Sequence, residues 1–431
     1  MKRTYTFLFA LSMFLMCNHL YAQFGVRDVP MASQKAAVMQ RIGLTDITIT
    51  YHRPAIKGRK VWQGMVPYNQ GKPFPWRAGA NQNTTIQFSQ DVFIEGQPLK
   101  AGTYGLHMIP SKGEWTVIFS NNSTSWGSFT YKKSEDALRV KVTPVSIDEP
   151  REFLTYNFRD IQSNAAICVL EWEKKRIPIK MSIDLQNTLK QVETQLSTQA
   201  GWRWVGWFEA ARFSLQNNIA IQKGIYWASR SVYMNVNFSN ALVRAQLMAK
   251  ARKLNEAETK KQIPGLIEGV FERYAAGWKP WNAAAQYMAQ QKDYKQALAW
   301  NQKSIDLQPN FYNHWARVGI YTQMGDKVAA NKARKKAIKV GTKAQINQQG
   351  FGFVWSGRPQ KAIEFFEIAA EKYPKDGDVR DNLGDVYART GQKDKAIATL
   401  KKALTLKQSP ASRKNSLQWL KKLGVDYKTE K

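Results

Sequence analysis

Cysteine and histidine are scarce in this chain. Its 431 residues include only 2 cysteines and 4 histidines. No His-x-Glu-x-His, Glu-x-x-His pair or cysteine cluster occurs, so the sequence predicts no transition-metal site. It also lacks a Gly-x-Ser-x-Gly elbow, a P-loop and a dinucleotide-binding fingerprint, so no cofactor is predicted and the common signatures of hydrolases and nucleotide-dependent enzymes are missing.

Long hydrophobic runs are missing as well. No segment reaches the about 18 uninterrupted apolar residues of a membrane span, so the chain is not predicted to be transmembrane. A short apolar run, residues 7–16, follows the basic pair Lys2-Arg3 and precedes Leu20-Tyr21-Ala22, a suitable cleavage site before Gln23. Residues 1–22 therefore read as a secretory signal peptide, and we expect an exported protein, periplasmic or secreted, that is soluble after cleavage.

The two cysteines indicate neither a lipid anchor nor a disulfide. Cys17 follows Met16, which is larger than the small residue that normally precedes a lipoprotein cysteine. Removing residues 1–22 leaves Cys168 alone, and its apolar neighbours predict a buried core residue rather than a nucleophile.

Acidic residues are half as frequent as basic ones. The chain has 64 Lys+Arg and 33 Asp+Glu, a net charge of +31. Residues 23–185 carry 21 Lys+Arg and 14 Asp+Glu, whereas residues 186–431 carry 41 and 19. This excess, with runs such as Lys332 to Lys339, fits a solvated lysine-rich face; it also fits a groove for an acidic peptide, a carboxylate terminus or a surface polyanion. Export disfavours nucleic acid as the partner.

Residues 24–185 show the pattern of short strands. Period-two alternation occurs in 46–51, 85–88 and 91–94, and residues 115–119 continue the series of short strands. About eight strands with turns between them, and no convincing helix, predict an antiparallel β-sandwich or flattened barrel. Residues 177–183 read as a closing strand.

From residue 186 the periodicity is helical. Residues 186–200 read as a polar helix or linker, and residues 201–425 as helical repeats with a period of about 34 residues. Small, aromatic and helix-breaking residues recur at this period: Gly350, Ala362, Ala369, Pro374, Leu383, Gly384, Tyr387, Ala396 and Ala403. With these residues at its packing positions, this part resembles the tetratricopeptide repeat, which implies helix pairs stacked into a superhelix with a concave groove.

The first half also resembles a known family. The motifs in order are Gln40-Arg41-Ile42-Gly43, Ile49-Thr50-Tyr51, Lys57-Gly58-Arg59, Val66-Pro67-Tyr68, Trp76 to Asn81, Ala101-Gly102-Thr103-Tyr104, Trp115 to Phe119, Trp126-Gly127 and Leu170-Glu171-Trp172. Together they resemble the bacterial domain of unknown function 2911. The resemblance covers about residues 24–185 and implies an exported β-rich domain, sometimes followed by tetratricopeptide-like repeats, with no assigned activity.

The stretch Trp76-Arg77-Ala78-Gly79-Ala80-Asn81 is the best candidate for a ligand site. Arginine offers a planar, permanently charged fork for carboxylate or phosphate, and asparagine adds a donor and an acceptor. Trp76 offers an apolar face, and Arg59 and Tyr68 lie just before it in the sequence. Alternatively, Arg77 and Asn81 bond the backbone and hold an irregular loop in place, with Trp76 buried.

Three functions follow as hypotheses. The first is a non-enzymatic exported binding or scaffold protein, with protein–protein interaction through the repeats and a small-ligand site at residues 76–81. The second is a hydrolase or carbohydrate-active enzyme at that pocket, although no paired carboxylate or activated nucleophile stands nearby in the sequence. The third is polyanion binding by the basic repeats.

Overall fold

A computed structural model describes residues 30–427 of the chain. The chain divides into two compact units, Met1–Thr194 and Gln195–Lys431. The predicted signal peptide at residues 1–22 and Cys17 lie outside the described residues. Each unit is described by itself.

The first unit consists of antiparallel sheets. Within residues 30–427, ten strands form a six-stranded sheet of order β1-β2-β3-β6-β7-β8 and a four-stranded sheet of order β5-β4-β10-β9. The strands are β1 Gln34–Ile42, β2 Thr45–Arg53, β3 Thr85–Phe88, β4 Val92–Ile94, β5 Gln97–Leu99, β6 Gly102–Ile109, β7 Trp115–Ser120, β8 Asp136–Val142, β9 Val145–Arg159 and β10 Ala165–Ser182.

Alternating side chains place one core between the two sheets. In β2, Ile47 and Ile49 are fully buried, while Asp46, Thr48 and Thr50, which alternate with them, are partly exposed. They share a hydrophobic core with Leu170 and Ile179 of β10, in the other sheet. The predicted β-sandwich is therefore confirmed, and its stability comes from apolar burial. Cys168 is part of this core, fully buried, and burial raises the pKa of its thiol.

One strand is longer than the sequence predicted. The segments 166–172 and 177–183 read as separate strands, but they belong to the single 18-residue strand β10. Register shifts around Glu173 interrupt its pairing with β9, and its far end pairs with β4 through Met181 and Ile94. The charged residues 173–176 interrupt the strand pattern in the sequence, so the sequence predicted two strands. In the structure the strand continues through this stretch, because a β-bulge accommodates extra residues without ending a strand.

The remaining elements are helical. The residues from 185 to 427 contain fourteen α-helices. They are α1 Leu185–Leu196, α2 Trp204–Asn217, α3 Ile221–Met234, α4 Phe238–Ala251, α5 Glu256–Arg273, α6 Trp278–Gln290, α7 Tyr294–Leu307, α8 Phe311–Met324, α9 Lys327–Val340, α10 Lys343–Trp355, α11 Pro359–Lys372, α12 Gly377–Arg389, α13 Lys393–Leu404 and α14 Pro410–Lys422.

Helices α2 to α13 pack as consecutive antiparallel pairs, and α14 packs on the last pair. First helices of successive pairs contact each other at α2–α4, α4–α6, α6–α8 and α10–α12, as expected for a tetratricopeptide superhelix. Between α8 and α10, the Trp315 ring packs against Phe353. Side-chain caps fix where several helices begin: Asn237, Asn310, Thr342 and Asp376 accept hydrogen bonds from the first-turn amides of α4, α8, α10 and α12. The predicted fold class is confirmed, and the first helical pair begins at Trp204, within the range predicted for the repeats.

Small residues let the paired helices approach closely. A Cβ added to Gly350 in α10 would lie 2.3 Å from the Phe366 ring of α11, and one added to Gly384 would lie 2.6 Å from Leu400. Ala362, Ala369, Ala396 and Ala403 are fully buried between the same helices. Glycine and alanine at these positions therefore set the spacing of the pairs.

We expect Gly350→Ala to destabilise the second unit by about 1–3 kcal/mol, because the new methyl group overlaps a buried aromatic ring. Gly352→Ala is the matched control in the same helix, since a Cβ there meets nothing within 4 Å. That control should be neutral or stabilise by about 0.5–1 kcal/mol through its higher helix propensity. Denaturant unfolding of both variants checks this, and equal effects would contradict the proposed packing role of Gly350.

Candidate functional site

The segment between β2 and β3, residues 54–84, contains the predicted ligand loop. It has no long strand or helix, but the backbone of Trp76 pairs with Met108 of β6. The amide of Trp76 donates to the carbonyl of Met108 at 2.8 Å, and the amide of Met108 donates back at 2.8 Å. The loop is therefore anchored to the six-stranded sheet just before Arg77.

Aromatic rings anchor the same segment to the other sheet. The indole of Trp76 stacks on Trp172 of β10, with centroids 6.3 Å apart and planes at 17°. Trp62 lies edge-on to both rings, and its Nε1 donates to Glu173 at 3.1 Å. Trp115 of β7 completes the cluster. Aromatic pairs of this geometry are worth about 0.5–1.5 kcal/mol each beyond burial, so the loop is firmly held.

The turn after Arg77 is also pinned. Ala78 is fully buried with φ of 51°, and its carbonyl accepts hydrogen bonds from the Tyr156 hydroxyl at 2.9 Å and the Thr84 hydroxyl at 3.2 Å. Asn81 has φ of 56°, and its side-chain amide donates to the Ser33 carbonyl at 3.0 Å. In the described structure the Asn81 amide therefore fastens the loop.

Arg77 is only partly used by the fold. Its Nη1 donates to the carbonyl of Asn81 at 2.8 Å. The guanidinium carbon lies 5.2 Å from the ring centroids of both Trp126 and Phe129, which stack on each other. Among residues 30–427, no carboxylate forms an ion pair with it, and burial lowers the pKa of Arg77. A half-buried cation without an acidic partner is energetically unfavourable.

A histidine and a serine lie next to this arginine. Nδ1 of His107, in β6, is 2.8 Å from the Ser128 hydroxyl, and both residues are at most 2% exposed. The ring of Tyr131 packs edge-on against the imidazole. Burial lowers the pKa of His107, and the positive charge of Arg77 lowers it further, to about 4. The imidazole is therefore neutral at pH 7.

A cavity of about 310 Å³ opens beside these groups. Its lining includes Pro54, Met65, Val66, Pro67, Asn69, Phe74, Pro75, Trp76, Arg77, Gly79, Ala80, Asn81, Ser128 and Trp172. A mostly apolar wall with a few polar groups is typical of small-molecule sites. Of the five residues predicted from the sequence, Trp76, Arg77 and Asn81 line this cavity.

The other two predicted residues lie outside the lining. Arg59 donates from Nε to the Ile56 carbonyl at 3.1 Å and from Nη2 to the Ala55 carbonyl at 2.7 Å, so its fork holds a turn. Tyr68 packs edge-on against Trp115, and burial raises its pKa. Sequence reasoning missed Ser128 and Trp172 as lining residues, because pairing of distant strands brings them to the loop.

The second unit presents a stripe of one asparagine and two aromatic residues on α10. Asn347, Phe351 and Trp355 recur every four residues, so they share one helical face. The Asn382 side chain of α12 donates to Asn347 at 2.9 Å, which places this face beside the next first helix. The Trp355 ring stacks on Phe351, and the residue is 79% exposed. We call these three residues the α10 stripe.

Lysines cover a different helix, the second of its pair. Lys327, Lys332, Lys335, Lys336 and Lys339 of α9 are all exposed, and no acidic residue occurs in this helix. Across residues 30–427, no group of three or more His, Cys, Asp or Glu is arranged to hold a metal ion. None of the described helices is long and apolar enough to cross a membrane.

Family comparisons agree with both units. Residues 33–181 match the family described as a protein of unknown function, DUF2911, and residues 356–414 match the tetratricopeptide repeat. The chain thus carries a match to DUF2911 followed by a match to the tetratricopeptide repeat, as the sequence motifs predicted. A comparison with curated proteins gives no match.

Several solved structures are similar to the helical part. The Cut9–Hcn1 assembly of the APC/C is 16% identical over 54% of this chain, with a TM-score of 0.24. Yeast Tom70 is 10% identical over 56%, with a TM-score of 0.27, and a tetratricopeptide repeat protein from Parabacteroides merdae is 11% identical over 54%, with a TM-score of 0.24. The alignments span 46%, 58% and 95% of those chains, respectively, so the chain covers about half of the first two.

The low pKa of His107 predicts acid sensitivity. The folded-state pKa of about 4 lies below the ordinary value of 6.5. The unfolded chain therefore binds an extra proton between these values, and the stabilisation present above pH 6.5 is lost as the pH falls towards 4. The difference corresponds to about 3 kcal/mol. We expect His107→Asn to unfold with a weaker pH dependence than the wild type between pH 7 and 4.

Calorimetric unfolding at several pH values measures this difference. Ser128→Ala is the control, since it removes the hydrogen-bond partner but keeps the titrating imidazole. If His107→Asn retains the full pH dependence of the wild type, another group is responsible.

Proposed function

We propose that this chain is an exported, non-enzymatic binding protein whose helical repeats recruit a protein partner. The tetratricopeptide repeats indicate protein–protein interaction. The observation that supports a location is the α10 stripe, in which Trp355 is an exposed aromatic anchor and Asn347 bonds to the first helix of the next pair. Aromatic residues of this kind dominate the energetics of peptide and helix docking.

A polar group lies next to the stripe. On the neighbouring helix α12, the Asn382 side chain donates to Asn347 at 2.9 Å. An apolar anchor beside such an amide pair offers both affinity and orientation. The proposed partner is therefore a peptide or helix with an apolar side chain that packs on Trp355.

A small-ligand site at the Arg77 cavity is a second part of the proposal. It is supported by the half-buried guanidinium without an acidic partner and by the cavity beside it. The hydrolase alternative draws on the contact between His107 and Ser128, which has the spacing of a nucleophile and its base. However, burial and the charge of Arg77 oppose protonation of His107, so it is a weak base for activating serine.

Polyanion binding by the repeats draws on the exposed lysines of α9. Within the described chain, α9 forms a single ion pair, between Arg334 and Glu364 at 2.9 Å. Most of the positive charge of α9 is therefore without an acidic partner. The two modes of binding differ in their response to salt. A polyanion releases counterions and weakens steeply with added salt, whereas an apolar anchor does not.

We expect Trp355→Ala to reduce retention of a protein partner at least tenfold in a pull-down with the full chain, because it removes the exposed anchor. Trp202→Ala is the matched control, a tryptophan that is 74% exposed and lies before the first helix pair. Equal losses in both variants, or a partner that is released by moderate salt alone, would contradict docking on the α10 stripe.

Export makes a separate prediction. Protein recovered from the envelope or medium of a bacterial host should begin at Gln23, because signal peptidase cleaves after Ala22. Leu11→Arg should leave the precursor uncleaved in the cytoplasm by charging the apolar run, whereas Leu11→Ile should be processed normally. Intact-mass measurement checks both, and a wild-type protein that keeps Met1 would refute export by this route.

A further inference from the structure

We propose that the Arg77 cavity binds a small monoanionic carboxylate whose adjacent apolar or planar group packs among Phe74, Trp76 and Trp172. The inference deepens the ligand-site part of the proposed function and rests on it. Four observations carry it: the unpaired guanidinium, its rigid support, the single charge of the cavity wall and the size of the cavity.

The guanidinium is built into the fold but not neutralised. It has five N–H donors, and in the described chain it makes one hydrogen bond, from Nη1 to the Asn81 carbonyl. Burial of a charge without a counter-ion costs several kcal/mol, so folds rarely retain one for packing alone. An anionic ligand would supply both the missing charge and the missing acceptors.

The supporting residues hold this group in one position. Gly127 has φ of 74°, and a Cβ there would lie 2.6 Å from the guanidinium carbon of Arg77, so the backbone presses directly on it. The rings of Trp126 and Phe129 flank it, although each residue is 58% exposed. A fixed fork loses little entropy when it forms a bidentate pair with a carboxylate.

The wall of the cavity defines the class of ligand. Arg77 is the only charged residue among the described lining residues, so the site suits one negative charge better than a phosphate dianion. Asn69 and Ser128 add uncharged polar groups, and most of the remaining lining is apolar or aromatic. The volume of about 310 Å³ is at the small end of ligand sites, which fits an amino-acid derivative or a monosaccharide acid.

Two sources share this chemistry, the C-terminal carboxylate of a peptide and a uronic acid. N-acetylphenylalanine and glucuronate represent them, with N-acetylphenylalaninamide and glucose as uncharged counterparts. We expect calorimetric titration of the full chain to show that at least one acid binds at least tenfold more tightly than its counterpart. The acid that binds identifies the source.

Two further readouts locate the site. In protein labelled at histidine, the His107 resonance should move on binding because the imidazole lies beside Arg77, whereas His314 of the second unit should not. Arg77→Gln should reduce affinity at least tenfold, and Arg77→Lys should restore it only in part, since lysine lacks the fork. Arg53→Gln is the matched control, an arginine over an aromatic ring whose fork is occupied by Leu154 and Thr155.

Should Arg77→Gln not fold, Trp126→Ala decides the question, because this exposed ring flanks the guanidinium without lying in the core. It should weaken binding two- to fivefold. The proposal is overturned if neither acid binds, if the uncharged counterparts bind equally well, or if folded Arg77→Gln or Trp126→Ala binds like the wild type. These titrations use no protein partner, so their failure leaves the repeat-unit proposal intact, and a failed pull-down leaves this one intact.

Discussion

The placement of Trp76 is the constraint on which the candidate site depends. Its backbone pairs with Met108 in one sheet, and its indole stacks on Trp172 in the other. A long irregular segment would otherwise lose much conformational entropy for few contacts. Because both sheets hold this residue, the backbone of the turn that follows it is fixed in position. Arg77 therefore reaches the cavity from a fixed backbone. The site is thus as rigid as the sandwich that carries it.

Local periodicity predicted much of the fold. The alternation in β2, β3 and β4 and the repeat of about 34 residues in α10 to α13 depend only on neighbouring positions, so one sequence displays them. The continuity of β10 was missed because its charged middle resembles a turn. The earlier pairs, α2 to α5, carry fewer of the glycine and alanine signals, and their packing depends on residues such as Ser214 and Gly224 that meet only in the folded chain.

The candidate site was predictable where it is local. Trp76, Arg77 and Asn81 share one turn, and all three line the cavity. Ser128 and Trp172 arrive from other parts of the unit, and no spacing in the sequence indicates that they meet the loop. The role of Asn81 could not be predicted from its residue type, because an asparagine suits a tight turn and a ligand site equally well. Only the bond from its amide to Ser33 shows the structural use.

The same unit also shows how this fold treats a buried charge that has a structural role. Glu171 is 4% exposed and lies within 3.5 Å of the guanidinium groups of Arg151 and Arg159, with Arg176 hydrogen-bonded to it as well. Burial alone would raise its pKa, but the hydrogen bond from Arg176 and the charges of all three arginines lower it, so the carboxylate is well compensated. The half-buried Arg77 has no such acidic partner among the described residues, whereas three arginines neutralise Glu171. This difference between the two charged groups favours a ligand, rather than the fold, as the counter-ion of Arg77.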